Sequence, residues 1–175
     1  MKINFNLSSL VQKKEIELII NEIFYSIQGE SSRIGLPTIF IRLTGCPLRC
    51  QYCDTEYAFT EGKKMRMSSI LKKIKEFPTK YVTVTGGEPL AQKTCTIFLT
   101  NLCDIGYDVS LETSGAIDVS DVDKRVKKII DIKTPGSNEH EKNKFENLKY
   151  LTKKDEIKFV ISDKSDYIWA KQKII

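Results

Sequence analysis

Histidine is almost missing from this chain: His140 is the only one. A His-rich metal centre is therefore excluded, and so is catalysis built on several imidazoles. No apolar run approaches the ~20 residues needed to cross a bilayer. The opening stretch MKINFNLSSLVQKKEIELII has neither the unbroken apolar core nor the small-residue cleavage site of a secretory leader. The expectation is a cytoplasmic protein with no membrane contact. Internal repeats and low-complexity linkers are absent too, so the 175 residues read as an N-terminal extension over 1–21 and one domain over 22–175. A strong charge of one sign is also lacking. The 28 Lys+Arg and 23 Asp+Glu leave +5, spread over short pairs such as Lys63-Lys64 and Lys72-Lys73 that read as solvated faces. That balance gives no argument for direct nucleic-acid binding, although a mildly positive field suits an acidic small substrate.

What is present is concentrated. Three of the five cysteines fall in CPLRCQYC, residues 46–53. In a reducing compartment, clustered thiols read as metal ligands rather than disulfides. Cys46, Cys50 and Cys53 have three and then two intervening residues. Thiolates favour soft metals and iron–sulfur clusters. A short loop can wrap one face of a cubane, leaving a fourth iron open for chemistry; zinc with an open position is the alternative. No second Cys-x-x-Cys pair exists to complete a closed zinc site. Cys95 and Cys103 lie in a helical stretch and read as buried structural thiols. His140, in the polar run SNEHEKNK, reads as a solvated surface residue.

Around the cysteines, strand-like and helix-like segments alternate. TIFIRL (38–43), YVTVT (81–85), YDVSLE (107–112), KIIDIK (128–133) and EIKFVI (156–161) have strand character. MSSILKKIKEF (67–77) carries apolar residues at helical spacing, and 90–104 and 163–174 also read as helices. Repeated βα units predict an α/β fold of parallel strands with helices outside. Ligands bind beyond the C-terminal ends of such strands. TGCPLRC, TGGEP, ETSG and DIKTPGS all fall at those ends, so they should converge on one mouth.

The triplet Cys46, Cys50, Cys53, followed by Gly-Gly-Glu-Pro at 86–89, resembles the radical S-adenosylmethionine superfamily. That resemblance implies a partial (β/α) barrel, a [4Fe-4S] cluster on the three cysteines, and S-adenosylmethionine bound to the open iron. Its implied cofactor neighbours are Tyr52, Cys53, Asp54, Gly86, Gly87, Glu88, Ser114, Asp131 and Lys133. Within the superfamily, EIFYSIQGESSRIGLPTIFIRLTGC (22–46), CDT (53–55), TGGEPL, LETSG and DIKTPGS resemble the 7-carboxy-7-deazaguanine synthase family. The implied reaction converts 6-carboxy-5,6,7,8-tetrahydropterin to 7-carboxy-7-deazaguanine with loss of ammonia, a step of queuosine and deazapurine biosynthesis. Ile27, Gln28, Gly29, Glu30, Arg42 and Thr85 match substrate-contacting positions, and Thr55 matches a Mg2+ position. A flavodoxin- or ferredoxin-like electron donor and a homodimer are implied as well.

Two departures from the family pattern stand out. Ser31 replaces a glycine usual in relatives, which would restrict φ. The end, WAKQKII, stops after a helix where family members continue into another strand. The expectation is a barrel shortened at its C-terminal end, lined by five strands and weakened or inactive. Two alternatives stand beside the synthase. A glycyl-radical enzyme activase shares the cysteine spacing but does not account for IQGE, Arg42 and Thr55 together. A non-catalytic iron–sulfur or zinc-binding remnant is the reading from a different class.

Overall fold

Period-two alternation sets the two faces of the sheet in this computed structural model, which describes residues 15–174. Strands β2 (Pro37–Leu43), β4 (Tyr81–Gly86), β5 (Asp108–Thr113), β6 (Lys127–Asp131) and β7 (Glu156–Lys158) are joined as parallel neighbours. On one face Ile39, Ile41, Leu43, Val82, Val84, Val109, Leu111 and Ile130 are all buried. They pack with Ile70 and Ile74 of α1 (Met67–Ile74) and with Phe98, Leu99 and Leu102 of α2 (Cys95–Asp104). Each such side chain, fully buried, contributes roughly 1.5–3 kcal/mol. On the other face Phe40, Arg42, Thr85, Glu112 and Asp131 line a cavity, and Thr83 and Ser110 are buried with their hydroxyls 2.9 Å apart, each satisfying the other.

The sheet has seven strands in the order β3-β1-β2-β4-β5-β6-β7, two more than the five expected from sequence. The additions are β1 (Glu17–Ile27) and β3 (Lys63–Arg66), antiparallel to their neighbours. Of the expected 1–21 extension, residues 1–14 lie outside the described residues. Residues 17–21 belong to β1, where Leu18 and Ile20 are buried in the core. A register shift between Ile20 and Glu22 moves the next buried position to Ile23. The alternation is thereby interrupted.

Helix α1 ends at Ile74, three residues before the sequence pattern does. The stretch 90–104 divides into a 3-10 turn at Pro89–Ala91 and α2. Helix α3 (Lys164–Ile174) is anchored by Asp166, whose buried carboxylate accepts hydrogen bonds from Gly136 N (2.8 Å) and Ser162 N (3.1 Å).

The loop 28–36 spans one end of the partial barrel. Arg33 pairs with Asp108 at the start of β5, Ser32 N donates to Glu156 Oε1 of β7 at 3.1 Å, and Glu30 pairs with Lys158. Ser31, at the turn of this loop, has φ +64, the left-handed conformation a glycine adopts without cost. Its hydroxyl accepts from Arg33 N at 3.2 Å.

Candidate active site

The cysteine loop is the continuation of β2, and it is gripped from both sides. Gly87 N donates to Leu43 O at 3.2 Å and Glu88 N to Gly45 O at 2.8 Å. A β-carbon on Gly86 would lie 2.1 Å from Leu43 O, and one on Gly87 would lie 2.4 Å from Gly45 O. Both glycines are therefore required for backbone to press on backbone at the mouth. From the opposite side, Gln51 N donates to Ser137 O at 3.0 Å and Arg49 N donates to the Glu139 carboxylate. The Arg49 guanidinium turns back to Cys46 O at 2.8 Å and stacks 4.3 Å from the Phe59 ring centre.

Cys46, Cys50 and Cys53 line one cavity of about 570 Å³ and are unbridged. Burial pushes the Cys46 and Cys50 thiols above the ordinary range. Metal binding would have to overcome that cost by taking the thiolates. Among the described residues, no three His, Cys, Asp or Glu side chains close on a point that a single metal ion would fill. Three thiol side chains on one cavity are a soft donor set, the kind that iron–sulfur clusters and zinc both take.

The sheet's inner face brings most of the sequence-predicted residues to the same cavity: Gln28, Gly29, Glu30, Arg42, Tyr52, Asp54, Thr55, Thr85, Gly86, Gly87, Ser114, Asp131 and Lys133. Arg42 donates from Nε to Glu22 Oε1 at 2.7 Å. Asp131 Oδ2 accepts from Lys133 Nζ at 2.9 Å, whereas Asp131 Oδ1 is buried with no hydrogen-bond partner. Burial works against the Lys133 ammonium, but Asp131 outweighs it and holds its pKa above the ordinary lysine value. Thr55 Oγ1 is 3.8 Å from Cys53 Sγ, and both residues line the cavity.

Three residues sit otherwise than expected. Glu88 is fully buried and does not line the cavity; its carboxylate accepts from Leu90 N, Thr113 Oγ1, Ser114 N and Ser114 Oγ. Its carboxylate oxygens thereby tie the end of β5 to the turn that follows β4. Ile27 is 66% exposed at the end of β1, and the cavity wall begins at Gln28. His140 is half-buried, edge-on to Trp169 at 6.2 Å, with Nδ1 buried and unpartnered, so it is not a solvated surface residue. Cys95 is buried and Cys103 half-buried, as structural thiols.

Sequence reasoning missed Phe24, Phe40, Glu112 and Lys158. Phe24 and Phe40 stack at 4.9 Å and form an apolar wall. Glu112 accepts from Thr85 Oγ1 at 2.9 Å and Gln28 Nε2 at 3.3 Å, and burial raises its pKa above the ordinary carboxylate range. The signal for it was available, since a carboxylate within LETSG falls on the inward phase of β5.

Residues 40–136 match the family model of the Radical SAM superfamily. The chain is 47% identical over 155 residues to a 7-carboxy-7-deazaguanine synthase of Koribacter versatilis, covering 87% of this chain and 69% of that protein. It is 45% identical over 163 residues to the synthase of that name from Chlorobaculum tepidum, covering 91% and 74%. Identity to the Thermoplasma acidophilum synthase is 39% over 155 residues, covering 87% and 74%. The fold superposes on the crystal structure of QueE from Escherichia coli with a TM-score of 0.78 at 24% identity, covering 90% of this chain and 77% of that one.

Proposed function

The chain belongs to the 7-carboxy-7-deazaguanine synthase family of the Radical SAM superfamily, and from that membership we propose that it is a carbon–nitrogen lyase. Its reaction contracts the ring of 6-carboxy-5,6,7,8-tetrahydropterin with loss of ammonia, giving 7-carboxy-7-deazaguanine. The observation that carries the reading is the meeting, in one cavity, of Cys46, Cys50 and Cys53 with Arg42, Thr85 and Glu112. When bound, a [4Fe-4S] cluster and S-adenosylmethionine supply one-electron hydrogen-abstraction chemistry that no side chain offers.

The protein's own residues bind, orient and exclude water. Cys46, Cys50 and Cys53 would hold the cluster; the unpartnered Asp131 Oδ1 is an acceptor for the cofactor's hydroxyls. Tyr52, with Lys133 Nζ 5.8 Å from its ring centre, offers a flat face beside the cofactor space. Gly86, Gly87 and Ser114 present backbone and a small hydroxyl to the same space. Across the cavity, Arg42 presents its free guanidinium nitrogens to a substrate carboxylate. Glu112, Glu30 and the backbone around Gly29 are acceptors and donors for an amino-pyrimidinone edge. Phe24 and Phe40 cover the ring face. Thr55 is a hard oxygen suited to Mg2+ completed by substrate oxygens and water.

The protein operates in the cytoplasm as a homodimer and takes its electron from a flavodoxin- or ferredoxin-like donor, without contacting membrane or nucleic acid. Among the described residues no helix is long and apolar enough to cross a membrane. The test is anaerobic reconstitution of the full chain with iron and sulfide. Reductant, S-adenosylmethionine, Mg2+ and the carboxypterin are then added. Formation of 7-carboxy-7-deazaguanine and ammonia without any protein substrate supports the reading. Deoxyadenosine release with no pterin consumed would point instead to the activase class.

A further inference from the structure

Cys50 is flanked by two main-chain donors that both end on the segment 134–142, which follows β6. Arg49 N, before it, donates to the Glu139 carboxylate, and Gln51 N, after it, donates to Ser137 O at 3.0 Å. Glu139 and Ser137 are buried. Asn138 stands between them at φ +60 and donates from Nδ2 to Gln51 Oε1 at 3.1 Å. Cys50 O in turn accepts from Cys53 N at 3.1 Å, so the placement of Cys50 is passed on to Cys53. The segment is itself fixed from the rest of the fold. Ser137 Oγ donates to Thr134 O at 2.6 Å and accepts from Glu139 N at 3.0 Å. Thr134 Oγ1 donates to Val160 O, beyond β7, at 2.9 Å. Gly136 N is held by Asp166 of α3, and a β-carbon on Gly136 would lie 2.5 Å from Asp166 Oδ2. About one turn further along α3, Trp169 meets His140 edge-on.

We propose that Glu139 is a positioning residue for the cluster: by holding the Arg49 amide it fixes Cys50 where its thiolate is taken up. The inference rests on the reading of Cys46, Cys50 and Cys53 as cluster ligands. Glu139 is the side chain that carries the placement of 134–142 onto the main chain of the cysteine loop. A carboxylate bound to a main-chain N–H makes a charge-assisted bond. Withdrawing the acceptor leaves the Arg49 N–H without its partner, and the loop must shift to find another. The second carboxylate oxygen pairs with Lys142 Nζ at 2.8 Å, on an exposed side chain. That ion pair lies away from the cysteine loop and is not the source of the effect. The role depends on reach: an acceptor of glutamate length meets the Arg49 amide, and a shorter one does not.

The experiment follows iron, not turnover. The full chain and its variants are reconstituted anaerobically with iron and sulfide, and the rate of iron release to a ferrous chelator is recorded. In Glu139→Ala, release is expected to be about tenfold faster than in the parent. Glu139→Asp keeps the charge but loses the reach, and is expected to behave as Glu139→Ala does. Glu139→Gln keeps an acceptor oxygen at the same reach without the charge, and is expected to restore a near-parental rate. Lys142→Met removes the ion pair alone and is expected to release iron at the parental rate. Thermal melts of the iron-free proteins establish that each is folded, and the comparison of Gln with Asp stands even where Glu139→Ala does not fold. Parental release from Glu139→Asp, or release from Glu139→Gln as fast as from Glu139→Asp, would overturn the assignment. So would equal loss from Lys142→Met. A parent chain that takes up no iron at all would overturn the cluster reading itself, and the inference with it.

Discussion

Arg42 and Glu22 face each other directly across the antiparallel β1–β2 ladder and are joined by a 2.7 Å hydrogen bond from Nε to Oε1. Tyr57 OH donates to the same carboxylate oxygen at 3.3 Å, and the Phe24 and Tyr57 rings each lie 5.9 Å from the guanidinium carbon. The guanidinium is thus aimed before any ligand arrives. Glu22→Gln weakens this alignment. Losing a charge-assisted hydrogen bond costs about 1.5 kcal/mol, so KM for the carboxypterin is expected to rise about tenfold with kcat little changed. Arg42→Lys, which also loses the planar fork, is expected to exceed it. Steady-state kinetics on both variants provide the check.

Ser31 stores strain in the loop that carries Gln28 to Glu30. At φ +64 its β-carbon is disfavoured, and relieving this is worth roughly 1 kcal/mol. Ser31→Gly is therefore expected to raise stability by about that amount, less the lost contact of the hydroxyl with Arg33 N. Ser31→Ala keeps the strain and loses the contact, so it is expected to destabilise. Denaturant unfolding of the three proteins gives the order directly.

Gly87 permits the contact between the end of β4 and the cysteine loop. A methyl there meets Gly45 O at 2.4 Å and Cys46 Cβ at 2.9 Å, the backbone and a side chain of the cysteine loop together. Gly87→Ala is expected to displace the loop and to reduce iron bound per chain after reconstitution by more than half. Iron and sulfide analysis, with a thermal melt to confirm folding, measures it.

The parallel strands were legible because runs such as TIFIRL and YVTVT are bounded by turns and alternate cleanly. Strand β1 was not, because its register shift breaks the period at Asn21. KKMR, with no β-branched residue, has little strand propensity, and β3 exists through its ladder with β1. The convergence of four strand-end signatures on one mouth was legible from the parallel topology. The direction of a single side chain was not. GGEP does not tell whether its carboxylate faces ligand or core, and only the donors at Leu90, Thr113 and Ser114 decide for Glu88. Likewise, the polar run around His140 gives no sign of Trp169, which packs against it from α3.

Asp155 is one of the carboxylates that make stability fall in acid. Its side chain is 0% exposed and accepts from Lys128 N (2.7 Å), Thr152 N (2.8 Å) and Lys128 Nζ (3.2 Å). Burial opposes the charge, yet these donors outweigh it and hold the carboxyl below its ordinary value of 3.8. A depressed folded pKa contributes stability that is present above the unfolded value and lost as pH falls through the folded one. Asp155→Asn is expected to cost about 2 kcal/mol at pH 7. That difference is expected to shrink as the pH drops below about 4. Unfolding curves at pH 7, 5 and 3.5 measure the trend.

Low-temperature electron paramagnetic resonance of the reconstituted, reduced chain, recorded with and without S-adenosylmethionine, tests the identity of the centre most directly. The expected result is the signal of a reduced four-iron cluster, from about four irons per chain, whose g-values shift when the cofactor is added. A loop that takes up one zinc and no iron, or a cluster whose spectrum ignores the cofactor, would contradict it.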